Sequence, residues 1–150
     1  MLGTILSALH VLALGIGLGA VVARGRGLRR VARGERGAVP SVLTADSLWG
    51  LAALLWLATG LMRAFGGIEK SPDFYLYNGF FRLKMGLFVA LLLLEIMPML
   101  TLVRWRLRKE EQVDPVRAAT LVRLNDAETA LVVIIPFVAA AMARGLWLVT

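Results

Sequence analysis

Long apolar stretches alternate with short polar connections along this chain. Four stretches, roughly 2–23, 43–62, 81–103 and 127–149, each run about as long as the ~20 residues a helix needs to cross ~30 Å of hydrocarbon. Between crossings of that length only helices or closed barrels keep every backbone polar group bonded, and unbroken apolar runs of this length fit helices. The pattern therefore predicts a single membrane domain over residues 1–150. It is an all-α, integral membrane four-helix antiparallel bundle. The first stretch reads as a retained helix rather than a signal peptide: no basic residue precedes it, and arginines follow it.

Charge sets the orientation. The connection over 24–37 holds six arginines against Glu35, and that over 104–123 holds six basic residues against Glu110, Glu111 and Asp114. The connection over 64–79 holds only Lys70, against Glu69 and Asp73. The positive-inside rule places the first and third connections in the cytoplasm and gives an N-out, C-out protein, expected in a bacterial inner membrane. Composition agrees. The chain is 59% hydrophobic with a mean hydropathy of +0.75, and its net charge of +7 flanks the spans rather than forming a basic face for nucleic acid. With no cysteine, disulfides, thiolate metal sites and covalent c-type haem are excluded.

Glycines and alanines supply close-packing faces. Gly15 and Gly19 have small-xxx-small spacing. Trp105 and Trp147 fall at expected interfaces, and Pro98 and Pro136 fall inside spans three and four. Asp46 is expected near the start of span two. Asn125 and Asp126 are expected at the start of span four, and Glu128 about a turn inside it.

Ionisable residues inside spans are costly and are functional candidates by default. Because span direction alternates, depth sorts them into two groups. An inner group holds Arg24, Asp46, Glu95, Asn125, Asp126 and Glu128. Glu128 can pair there with Arg24 or Arg104. An outer group holds His10, Arg63, Arg82, Lys84, Met85, Met142 and Arg144, with Tyr75 and Tyr77 in the loop above. Lys84 and Glu95 lie eleven residues apart on one helix face, about 16 Å along the axis.

The outer group suits haem b. His10 is the sole imidazole and hence the candidate metal ligand. Met85 or Met142 offers a thioether, and Arg63, Arg82, Lys84 and Arg144 offer cations for carboxylates. The same arginines equally fit plain snorkelling to the headgroups. A neutral His10 bonded to a neighbouring carbonyl, a copper(I) site, and a quinone held by His10 or Lys84 are the other readings. Glu95 and Glu128 would relay protons or stabilise the bundle. Enzymatic activity is left open.

The run "GLAALLWLATGLMRAFGGIEKSPDFYLYNGFFRLKMGLFVALLLLEIMPMLTLVRWR", with "LHVLALGIGLGAVVARGR" before it, resembles an uncharacterised family of small bacterial four-helix membrane proteins. That family looks distantly related to the copper-resistance D superfamily, which includes the haem-binding membrane protoporphyrinogen IX oxidases. The distant likeness rests on a histidine about ten residues into span one, His10, and a lysine opening span three, Lys84 in "FFRLKMGLFVALLLLE". The oxidases tend to carry a second histidine about three turns later, where this chain has Glu95. The resemblance implies a haem- or porphyrin-binding membrane protein with a redox role. The alternative is a non-catalytic accessory subunit or assembly factor. It would act in a homo-oligomer or a larger membrane complex, contacting lipid and no nucleic acid.

Overall fold

The computed structural model describes residues 1–66, 78–108 and 113–144. Lys70, Tyr75, Tyr77, Glu111 and Trp147 lie outside the described residues. Four helices make up the structure: α1 (Leu2–Ala32), α2 (Val39–Phe65), α3 (Gly79–Arg108) and α4 (Pro115–Ala143). A 3-10 turn, Arg36–Ala38, leads into α2. All four helices are long and apolar enough to span a membrane.

Helix ends follow local chemistry. α1 stops where Gly34 takes a left-handed φ of +89°, a conformation that a side chain would disfavour. Arg29 and Arg30 sit in its last turn against the negative end of the helix dipole. Asn78 opens α3, its Oδ1 accepting from the Phe80 and Phe81 amides at 2.9 and 3.3 Å. Asp114 caps α4 by accepting from the Val116 amide at 2.9 Å, and Pro115 takes the first helical position.

These caps correct the expected boundaries. Each helix is longer than its apolar stretch, because polar residues beyond the stretch keep helical propensity until a capping residue intervenes. α4 begins twelve residues before 127, so Arg117 and Arg123 are helical and not part of a loop. Asn125 and Asp126 lie well inside α4 and start nothing. Asp46 is the eighth residue of α2, too far in to meet the helix end. At ~1.5 Å per residue, α1 is about 46 Å long, more than the ~30 Å of hydrocarbon, so the bundle continues past the apolar spans at its Arg-rich end.

The interior is layered. Phe81, Ala64 and Met142 cluster at the His10 end. A middle layer includes Val21, Trp49, Trp56, Leu91 and Val132. A third, at the Arg-rich end, includes Leu28, Val42, Leu102, Trp105 and Leu121. Trp105, expected at an interface, is buried in this last layer because α3 carries on past it. α1 packs closely on α2 and α4, and α4 on α3, whereas α2 and α3 barely touch.

Small residues set the closest approaches. A Cβ on Gly27 would lie 2.6 Å from Val42 Cγ2, and one on Gly17 would lie 3.2 Å from the Trp49 ring, so both glycines admit α2 against α1. Gly15 and Gly19 meet nothing within 4 Å and face outward. The small-xxx-small pair therefore plays no part in packing within the bundle. Outward-facing leucines, isoleucines and valines cover the rest of the surface, as lipid contact requires.

Candidate functional site

Between the middle layer and the Arg-rich layer, each helix contributes a polar side chain at the same height. Arg24 of α1 is at the centre and fully buried. Its guanidinium has five N–H donors, and each finds an acceptor. Nε donates to Asn125 Oδ1 at 2.9 Å. One terminal nitrogen donates to Asp46 Oδ1 at 3.0 Å and Glu95 Oε1 at 2.7 Å. The other donates to Glu95 Oε2 at 2.9 Å and to Glu128 Oε2. One arginine thus bonds all three partner helices, and it bonds Glu95 in the two-pronged geometry that only a planar fork provides.

A second shell holds the acceptors. Trp49 Nε1 donates to Glu95 Oε2 at 2.9 Å. Arg106 of α3 donates to Asp46 Oδ2 at 3.0 Å and to the Leu43 carbonyl at 2.8 Å, linking α3 to α2. Asn125 Nδ2 donates to the Val21 carbonyl of α1 at 3.1 Å. Gly25 leaves room for Asn125, since a Cβ there would lie 2.5 Å from Nδ2. Two guanidinium groups face three carboxyl groups, and Glu128 Oε1 is buried with no donor among the described residues.

Arg24, Asp46, Glu95, Asn125 and Glu128 were sorted together by depth, and the structure brings them into contact. Asp126 is apart from them, exposed and paired with Arg29. Of the two partners open to Glu128, Arg24 is the one it meets. Trp49 and Arg106 were missed. Trp49 had a legible signal, an indole one turn from Asp46 on α2.

The second polar site lies toward the other end. His10 Nδ1 is 2.9 Å from Thr59 Oγ1. Thr59 is bonded through that oxygen to the Leu55 carbonyl at 2.7 Å and the Trp56 carbonyl at 3.2 Å. A hydroxyl has one proton, and the two carbonyls take it. Thr59 therefore accepts from His10, so Nδ1 carries a hydrogen and the ring is oriented from that side. Gly60 sits beneath the imidazole; a Cβ there would come 3.1 Å from Cε1. The Trp56 ring lies 5.9 Å from the His10 ring, tilted by 37°.

His10 lines a cavity of about 270 Å³ together with Arg63, Lys84, Met142 and Trp56. Met85 lines a smaller neighbour of about 40 Å³ that His10 and Lys84 also border. Five of the seven expected outer residues therefore converge. Arg82 and Arg144 are exposed and outside both linings. Among the described residues no three His, Asp or Glu side chains are gathered as a metal site. Thr59 and Gly60 were missed: a lone threonine in an apolar run is an ordinary helix residue until depth matching across antiparallel spans sets it against His10.

The chain matches the predicted membrane protein family DUF2214 over residues 3–146. It belongs to that family. No curated protein and no solved structure matches it. Membership in DUF2214 makes the chain a membrane protein along nearly its whole length, and every residue of both polar sites falls within the matched span.

Proposed function

We propose that this protein binds a ring-bearing, carboxylate-bearing ligand in the His10 cavity, with haem b or a related porphyrin as the ligand class, in a redox role. One observation carries the reading. His10 is oriented by Thr59 in the manner of ligand histidines, whose second nitrogen is tied to a protein acceptor. It sits in a cavity bordered by the cations Arg63 and Lys84. Such a group would supply electron-transfer chemistry. Nε2 of His10 would hold its metal, Met142 lies on the same wall, and Arg63 and Lys84 would receive its carboxylates. Trp56, Phe88 and Ile135 give the apolar surroundings such a ring needs. At about 270 Å³ the cavity is smaller than the ~300–1,000 Å³ usual for small-molecule sites, so part of a macrocycle would lie against lipid. Arg82 and Arg144 fit snorkelling better than ligand binding. Glu95 and Glu128 hold the bundle through Arg24.

An absorption spectrum of protein purified in mild detergent, oxidised and dithionite-reduced, tests this. A Soret band that His10→Ala abolishes and Arg82→Ala leaves unchanged is expected. A band that survives His10→Ala would sink the assignment. A second reading, a non-catalytic subunit of a larger assembly in the bacterial inner membrane, is favoured by the outward-facing Gly15 and Gly19 on α1. A colourless protein that co-purifies with a fixed partner would favour it instead.

A further inference from the structure

α2 and α3 are neighbours in the bundle that barely pack. Between them, at the level of the Arg24 cluster and just above it, lies a cavity of about 140 Å³. Gly50, Leu92 and Met99 form its rim and are exposed, so it opens sideways onto the lipid-facing surface. Trp49, Trp56, Phe88 and Leu91 wall it. Its polar groups are Asp46 and Glu95, whose side chains keep 14% and 20% of their surface accessible while Arg24 keeps none.

Hydrogen-bond capacity selects the ligand. The Arg24 donors are all engaged, and the Trp49 donor is engaged by Glu95. The acceptors are not filled. Each carboxylate oxygen can take two bonds. Glu95 Oε1 takes one, from Arg24, and the two Asp46 oxygens take one each, from Arg24 and Arg106. On this side the cavity asks for a donor. Trp56 supplies the complement: its indole N–H is buried and has no acceptor among the described residues. An unmatched buried donor in a cavity wall is the kind of group a ligand completes. Volume sets the size: about 140 Å³ is close to the ~150 Å³ that admits one benzene ring, and ring substituents extend through the open rim.

We propose that the α2–α3 cavity binds the ring of a lipid-phase hydroquinone, one hydroxyl donating to Glu95 or Asp46 and a ring oxygen accepting from Trp56. The ring stacks among Trp49, Trp56 and Phe88, and any tail leaves through the rim into lipid. The oxidised quinone has only acceptors and leaves the carboxylates unsatisfied, so the site favours the reduced form. This site shares Trp56 and Phe88 with the walls around His10 but contains neither His10 nor its neighbouring cations, and the inference does not depend on haem.

Trimethylhydroquinone, kept reduced under argon, is the probe, with trimethylbenzoquinone as its oxidised partner. Binding to the full chain in lipid nanodiscs is measured by equilibrium dialysis, with protein-free nanodiscs correcting for partition. Saturable binding of the hydroquinone is expected, at least about tenfold tighter than of the quinone. Gly50→Leu fills the rim, where a Cβ meets nothing within 4 Å, and should abolish binding with helicity and melting intact. Partition alone, equal affinity for the two redox forms or undiminished binding in Gly50→Leu would each overturn the proposal. Glu95→Gln is informative only alongside Gly50→Leu, because it also removes a bond partner of Arg24.

Discussion

Arg24 shows how a charge earns a place inside an apolar bundle. A buried ion stays only where its partners replace the water it lost, and this guanidinium has five donors and five acceptors. The arrangement depends on shape as well as charge. Lysine carries three donors on a point-like ammonium and cannot reach one side chain from each of three helices while gripping Glu95 twice. Arg24→Ala should therefore destabilise the protein by about 3–5 kcal/mol, the usual cost of leaving buried partners unpaired. Arg24→Lys should restore less than half of that. Unfolding titrations of dodecylmaltoside-solubilised protein with sodium dodecyl sulfate measure both. A lysine variant as stable as the parent would show that charge alone holds the cluster. The group membership was legible from depth: Asp46, Glu95, Asn125 and Glu128 fall at one height once the spans alternate. The hub was not. Arg24 opens a run of six arginines, and composition gives no reason for the first of them to turn inward while Arg26 and Arg29 stay exposed. The reason is the height of the acids on the other helices.

At the scale of elements, apolar length fixed where each helix crosses the membrane but not where it ends. Capping residues decide the ends, and they lie beyond the apolar stretches: Gly34 for α1 and Asp114 with Pro115 for α4. The extra turns carry their own core, with Leu28, Val42, Trp105 and Leu121 packed at the Arg-rich end. These apolar residues stand among charges, so hydropathy averaged over a window hides them. The α1–α2 crossing in this layer gives a prediction that runs against propensity. Gly27→Ala adds a better helix former, worth about 1 kcal/mol on an exposed site. Here the new methyl would meet Val42 Cγ2 at 2.6 Å, and Val42 is a fully buried, β-branched residue with little freedom to move. Gly27→Ala should therefore lower the melting temperature, whereas Gly15→Ala, where a Cβ meets open space, should leave it unchanged or raise it. Circular dichroism melts of the two variants in one detergent make the comparison. A stabilised Gly27→Ala would mean that α1 and α2 can separate without loss.

For the molecule as a whole, two polar sites lie at different heights in one small bundle. The Arg24 cluster joins all four helices, and the His10 cavity lies where the helices leave space. The sparsely packed α2–α3 seam is held chiefly by side chains. Arg24 reaches Asp46 and Glu95, Arg106 reaches Asp46, and Trp56 meets Phe88 edge-on at 5.8 Å, so polar and ring contacts span a gap that backbone packing leaves open. The exposed arginines beyond the cluster predict which end faces the cytoplasm. Arg26, Arg29, Arg30, Arg33 and Arg36 crowd the Arg-rich end, and each resists transfer across the bilayer. The chain has no cysteine, so one introduced thiol reports one position. Arg36→Cys and Gly66→Cys place exposed thiols at opposite ends of α2. In intact bacterial cells a membrane-impermeant maleimide should label the Gly66→Cys protein and spare the Arg36→Cys protein, and permeabilisation should make both reactive. The reverse pattern would invert the bundle and place the His10 cavity toward the cytoplasm.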